Sequence, residues 1–177
     1  VMGSPNVGKS TLVNRIVGEK VAIVSDKAQT TRSRIAGICS TPEDQMVFMD
    51  TPGVQNPKNK LGEYMVKTAF GTLEDIDAAL LVVDAQHGVG PRDEALAPRL
   101  LSSGAPVLAA VNKADAVYPE ELKRQAARLK RAAGRAPLVL SGVTGQGVPE
   151  AMRAIAAVIE QTRVAATAAG EAAASRP

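Results

Sequence analysis

The residues whose types and spacing best suit chemistry lie in three short segments. The first, Gly3-Ser4-Pro5-Asn6-Val7-Gly8-Lys9-Ser10, has the spacing G-x-x-x-x-G-K-[ST] of a phosphate-binding loop. Glycine lets the backbone curl so that successive N–H groups point inward at an anion. A helix after the loop would add its N-terminus to the same charge. In such a loop Asn6, Val7, Gly8, Lys9, Ser10 and Thr11 surround the phosphates of a nucleotide. Lys9 would bridge the β- and γ-phosphates, and the Ser10 hydroxyl would ligate Mg²⁺. An ordinary glycine-rich turn ahead of a helix satisfies the same pattern, so the other segments must decide between the two.

Asp50-Thr51-Pro52-Gly53 follows the apolar run Met46–Met49. That places the Asp50 carboxylate at the end of a buried strand, where it can hold Mg²⁺, in most such sites through water, and sets the Gly53 N–H toward a γ-phosphate. Loss of that phosphate on hydrolysis would release the loop, which is how a switch behaves. The next residue, Val54, cannot orient an attacking water as a glutamine would, and Gln55 stands one position too late. The third segment, Asn112-Lys113-Ala114-Asp115, follows the run Val107–Val111 and reads N-K-x-D. Asp115 can accept hydrogen bonds from the N1–H and 2-amino groups of guanine. Adenine lacks both donors and would leave a desolvated carboxylate unpaired. The Lys113 stem can cover the base face, and Asn112 can tie its loop to the phosphate loop. Ser141-Gly142-Val143, after the run Leu138–Leu140, could supply a backbone N–H to guanine O6.

Positioning these segments requires strands that end at them and helices that start from them. Strand-length apolar runs cover Arg34–Cys39, Met46–Met49, Ala79–Val83, Val107–Val111 and Leu138–Leu140. Helix-period segments cover Lys9–Val17, Glu63–Leu73, Arg92–Leu101, Glu120–Ala133 and Pro149–Arg163. Their alternation predicts an α/β fold with a doubly wound, mostly parallel sheet of the P-loop NTPase type. Only Val1 and Met2 precede the glycine-rich loop, so the first strand is expected to be largely truncated and the chain to be a fragment of a longer product. The domain is expected over residues 1–163. The Ala-rich stretch 164–177, which has no apolar face, reads as a disordered tail or linker.

Composition narrows the classes further. With 177 residues, 22% charged and 45% hydrophobic, the chain reads as one globular domain rather than a fibrous or disordered one. A single cysteine, Cys39, and a single histidine, His87, exclude an internal disulfide and any site that needs two histidine ligands. No run approaches the ~20 apolar residues of a membrane span. Aromatics are limited to Phe48, Tyr64, Phe70 and Tyr118, too few for an RNA-stacking surface. These features suit a monomer in a reducing, cytoplasmic setting.

The three motifs together resemble those of the P-loop GTPases of the TrmE-Era-EngA group. Two further stretches resemble the switches of the Era-type GTPases: Lys27-Ala28-Gln29-Thr30-Thr31-Arg32 and Val54–Gly62. The resemblance covers residues 1–115. Beyond it, the segment from Glu120 to Val164, with Ser-Gly-Val-Thr-Gly-Gln-Gly-Val from Ser141, is also similar to the end of an Obg-type GTPase domain. The resemblance implies a Ras-like domain that hydrolyses GTP to GDP, with Lys9, Thr31 and Gly53 as its catalytic groups. Ser10, Thr31 and Asp50 would be its Mg²⁺ ligands, with Thr30 as the alternative to Thr31. It also implies that an apolar residue at Val54 is normal for the group. In related potassium-activated GTPases the position of Asn6 helps to bind K⁺; a plain hydrogen-bonding turn residue is the other reading. Era-type proteins act in small ribosomal subunit assembly and 16S rRNA maturation, through a C-terminal KH domain that nothing in this sequence matches. The alternatives are a nucleotide-gated binding module that barely hydrolyses and an Obg-like ribosome-associated GTPase.

Four other features have plainer readings. His87 follows a strand and reads as a surface loop residue, Cys39 as an inert, partly buried thiol, and Arg32 and Arg34 as solvated flanks of the switch. The net charge of +3 is concentrated: Glu120–Arg135 holds six basic residues (Lys123, Arg124, Arg128, Lys130, Arg131, Arg135) against two acidic ones. A solvated helix face is the default for such a set, and an acidic partner such as rRNA is the alternative.

Overall fold

The structure, a computed structural model, describes residues 1–25, 30–42 and 44–174. Lys27, Ala28 and Gln29 of the first-switch signature therefore lie outside the described residues. In chain order the elements are α1 (Lys9–Val17), β1 (Ile35–Ser40), β2 (Gln45–Asp50), α2 (Lys60–Gly71), β3 (Ala79–Asp84), α3 (Pro91–Leu101), β4 (Val107–Asn112), α4 (Pro119–Ala133), β5 (Leu138–Val139) and α5 (Val148–Ala174). Short 3-10 turns occupy Thr72–Asp75 and Ala114–Ala116.

The two strands with unbroken apolar runs, β3 and β4, are buried at all six positions. That is the signature of central parallel strands covered on both faces. They pair in parallel from Ala79↔Val107 to Asp84↔Asn112, and β5 adds in parallel on the far side of β4. Successive residues of β3 point to opposite faces. Leu81 and Val83 pack with Leu96, Leu100 and Leu129 of α3 and α4. Leu80 and Val82 pack with Leu12, Val13 and Ile155 of α1 and α5. One strand thus feeds two cores, which makes the sheet doubly wound.

The hairpin β1–β2 is antiparallel, in register from Ile35↔Asp50 to Ser40↔Gln45. Its alternating burial leaves Ile38 and Val47 exposed, as expected where one face meets solvent. Val1 and Met2 sit between this hairpin and the parallel sheet, where the truncated strand was expected. The Val1 amine donates to Met49 O at 2.6 Å. Met2 donates to Leu80 O and accepts from Val82 N, both at 2.8 Å.

Two boundaries differ from the sequence reading by three residues or more. α2 begins at Lys60, ahead of its apolar pattern, because the Asn59 side chain accepts from Gly62 N at 2.9 Å and caps it. The stretch from Val164, read as a disordered tail, continues α5 as far as Ala174. Alanine is the strongest helix former, so this segment needs no buried face to follow the helix before it; residues 161–167 are all exposed. Leu81, fully buried where the strand meets the α3–α4 layer, tests the core. Leu81→Ala should lower unfolding free energy by about 3 kcal/mol, read as a shift in urea midpoint with unchanged slope.

Candidate nucleotide site

The phosphate loop runs from Met2 into α1 at the C-terminal edge of the parallel sheet, the crevice where ligands of such sheets bind. Asn6 and Gly8 have positive φ, 62° and 89°, so the chain reverses hand before the helix starts. Lys9 arches back over its own loop, and its Nζ donates to Ser4 O at 2.9 Å and Gly3 O at 3.3 Å. Burial lowers the Lys9 pKa from 10.5 to about 8, against the opposing pull of the Asp50 and Asp93 carboxylates. A phosphate would add counter-charge to that of the two carboxylates. Asp93 also anchors the loop: its Oδ1 accepts from Ser4 Oγ at 2.7 Å, and its Oδ2 accepts from Gly90 N at 3.0 Å.

Three segments bring oxygens together beside Lys9. Ser10 Oγ donates to Asp50 Oδ2 at 2.6 Å, Thr31 Oγ1 donates to the same oxygen at 3.3 Å, and the two hydroxyls are 3.3 Å apart. Asp50 is fully buried, and its Oδ1 has no hydrogen-bond partner among the described residues. A buried, unpaired carboxylate oxygen is costly unless something completes it. Two hydroxyls and a carboxylate suit a hard divalent cation such as Mg²⁺, so Ser10, Thr31 and Asp50 are the residues fit to hold it. Gly53 lies against the loop so closely that a Cβ there would come within 2.7–2.9 Å of Pro5 atoms. Next to it, Val54 N donates to Gly3 O at 3.0 Å while its side chain packs into the core.

The base-reading loop is tied to the phosphate loop as expected. Asn112, 2% exposed, donates through Nδ2 to Val7 O and accepts at Oδ1 from Gly142 N, both at 2.9 Å. Asp115 lies exposed on the turn after Lys113, open to a base. Gly142 N–H and Ser141 N–H, which stand where a donor to guanine O6 was expected, are engaged with Asn112 Oδ1 and Gln146 O. Ser141 Oγ closes the turn by accepting from Thr144 N at 3.0 Å.

Three contributors went unseen in the sequence. Arg15, at the end of α1, donates to Gly142 O at 3.2 Å and to Val143 O, and so clasps the Ser141–Val143 loop from behind. Asp93 holds the phosphate loop. Asp84, at the end of β3, pairs with Lys113. Only Asp84 had a signal to offer: it stands at the end of an apolar strand just as Asp50 does.

The chain is similar in sequence and fold to known proteins. A family model described as a 50S ribosome-binding GTPase matches residues 1–113. The chain is similar to Era in complex with MgGDPNP and nucleotides 1506–1542 of 16S ribosomal RNA, at 36% identity and a TM-score of 0.81, over 87% of this chain and 53% of that one. An Aquifex aeolicus Era variant bound to GDP and AlF4⁻ is similar at 35% identity and a TM-score of 0.80, over 87% and 54%. An S. thermophilus NFeoB variant bound to GDP and AlF4⁻ follows at 26% identity and a TM-score of 0.73, over 89% and 62%. The chain spans about half the length of the Era structures it matches.

The two glycines that flank α1 make a controlled test. A Cβ on Gly8 would lie 2.4 Å from Asn112 Nδ2, whereas one on Gly18, also at positive φ, would meet nothing within 4 Å. Gly8→Ala should weaken nucleotide binding by at least about a hundredfold in a fluorescent-nucleotide titration, because it parts the two loops. Gly18→Ala should bind normally and lose only about 1 kcal/mol of stability.

Proposed function

The chain belongs to the family described as 50S ribosome-binding GTPases, whose model matches its residues 1–113, and on that premise we propose that it binds GTP and hydrolyses it to GDP and phosphate as a molecular switch; the likeness to an Era structure that holds 16S rRNA supports small ribosomal subunit assembly as its setting. The observation that carries this reading is the Asn112 carboxamide, which holds a phosphate loop and an N-K-x-D loop in one rigid crevice. Asp115 reads the N1–H and 2-amino edge of guanine, with the Lys113 stem over the ring. Lys9 neutralises the β- and γ-phosphates as water attacks the γ-phosphorus and the bond to the β-phosphate oxygen breaks. Ser10, Thr31 and Asp50 hold Mg²⁺, which when bound draws charge from the phosphate oxygens. Gly53 N–H senses the γ-phosphate, and its contact with Pro5 couples the second switch to the loop. Asn6 is the residue fit to add a K⁺ ion beside the phosphates.

Turnover should be slow. Val54 turns its side chain into the core and offers nothing to orient water. That observation also favours the second reading, a nucleotide-gated module that signals by docking its switches with little hydrolysis. The ribosomal role draws on the Era structure that holds 16S rRNA, to which this chain is 36% identical. The basic residues of α4 and of the turn after it are the surface offered to rRNA: Lys123, Arg124 and Arg128 are in ion pairs, and Lys130, Arg131 and Arg135 are in none among the described residues. No described helix is long and apolar enough to cross a membrane.

Nucleotide titrations with Mg²⁺ should show GTP and GDP bound at least about a hundredfold more tightly than ATP and ADP, and Asp115→Asn should move the preference toward xanthine nucleotides. Equal affinity for ATP and GTP would refute the assignment. Phosphate release measured with K⁺ and small ribosomal subunits separates the two readings: none above background leaves the gated module.

A further inference from the structure

Behind the base-reading loop lies a buried charge cluster that the reaction itself does not use. Asp84 ends β3 directly beside Asn112, its register partner on β4, and its side chain is 4% exposed. Three donors converge on it. Lys113 Nζ lies 2.7 Å and His87 Nδ1 2.8 Å from Oδ2, and Gln86 N donates to Oδ1 at 2.8 Å. Burial opposes ionisation of this carboxyl, but the donors outweigh it and hold its pKa below the usual carboxylate value.

The lysine at the other end is conformationally committed. Lys113 has φ 61°, a left-handed backbone that a residue with a side chain seldom adopts. Its neighbours fix it there, with Ala85 N donating to Asn112 O and Ala114 N to Leu140 O. From this fixed origin the side chain crosses the phosphate loop. Its Cε lies 4.0 Å from where a Cβ on Gly8 would sit, and its ammonium ends on Asp84. Both ends of a four-carbon stem are thereby pinned, and one flank stays open, since the side chain is 27% exposed.

We propose that Asp84 is a positioning residue of the guanine site: its carboxylate anchors the Lys113 ammonium and lays the lysine stem taut as a ready-made platform for the purine face. This deepens the guanine-nucleotide reading of the Asn112–Asp115 loop and rests on it. A lysine with a loose ammonium would swing to solvent and would have to be ordered as the base arrived. An anchored stem meets that entropy cost in folding, so nucleotide leaves more slowly. The platform touches only the ring face, so it raises affinity without altering which base is chosen; Asp115 does the choosing. His87 shares Oδ2 but its ring is 81% exposed, which makes it an accessory donor.

The test is the dissociation rate of fluorescent GDP from the full chain with Mg²⁺. Asp84→Asn keeps shape and loses charge, and should release GDP about tenfold faster, with the preference for guanine over xanthine nucleotide unchanged. His87→Ala should change the rate less than about threefold. On a Lys113→Met background, Asp84→Asn should add nothing, since the group it acts through is gone. Normal release from Asp84→Asn, additive losses in the double variant, or an equal effect from His87→Ala would each overturn the proposal. Thermal unfolding without nucleotide checks that Asp84→Asn folds. If it does not, Lys113→Arg serves: it can still reach Asp84 and should stay nearer wild type than Lys113→Met, and equal losses would overturn the anchor. Wild-type chain that binds no GDP would instead bring down the guanine reading itself, and the platform with it.

Discussion

Two hydrogen bonds from one buried side chain set the geometry on which the crevice depends. The Asn112 carboxamide uses its donor on Val7 of the phosphate loop and its acceptor on Gly142 of the last loop, so three segments distant in sequence meet at a single planar group. The group is 2% exposed, so solvent has little access to replace either bond if it breaks. Glycine at position 8 is required for the same reason, because the amide occupies the space of a Cβ. The separation between where phosphates and where a base can sit is therefore built into the resting protein.

Around this fixed frame the charges are left in need of completion. Lys9 is buried with its pKa lowered to about 8, and Asp50 keeps one oxygen unpaired. Both features cost the protein stability, and one partner, a polyphosphate with its cation, would relieve both. A ligand that binds only the folded state adds its own stabilisation, so the chain's stability and its occupancy are linked. Asp84 and Asp93 are different. Each has its hydrogen bonds made within the protein, and each stiffens a loop and leaves nothing open for the ligand.

The fold was legible where burial leaves a periodic trace. The apolar runs of β3 and β4 were visible because both faces of those strands are covered, and α1 was visible between Gly8 and Gly18. The start of α2 was hidden because Asn59 caps it from outside the apolar pattern, and the end of α5 because alanine carries helix propensity without amphipathicity. In the site, contiguous motifs announced Lys9, Ser10, Asp50, Gly53 and the Asn112–Asp115 loop. The clasp of Arg15 on Gly142 and Val143, the Ser4–Asp93 bond and the Asp84–Lys113 pair stayed invisible. Such contacts join residues 29 to 128 positions apart, and no local rule of spacing governs them.

The antiparallel hairpin has a mechanical consequence. Thr31 stands four residues ahead of Ile35, whose register partner is Asp50, so the threonine and the aspartate lie toward the same end of the hairpin and Thr31 Oγ1 reaches Asp50 Oδ2 at 3.3 Å. The other end, near Ser40 and Gln45, lies about 20 Å away by strand geometry and is open to solvent. The ribbon meets the parallel sheet along the narrow seam of Val1 and Met2. The ribbon also packs on α1: a Cβ on Gly37 would lie 2.8 Å from Val17 and 3.0 Å from Val13, and Phe48 shares a core with Leu12 and Val13. The helix that carries Ser10 and the strands that lead to Thr31 and Asp50 are thereby held together, so the spacing of the three oxygens is set by apolar packing outside the crevice.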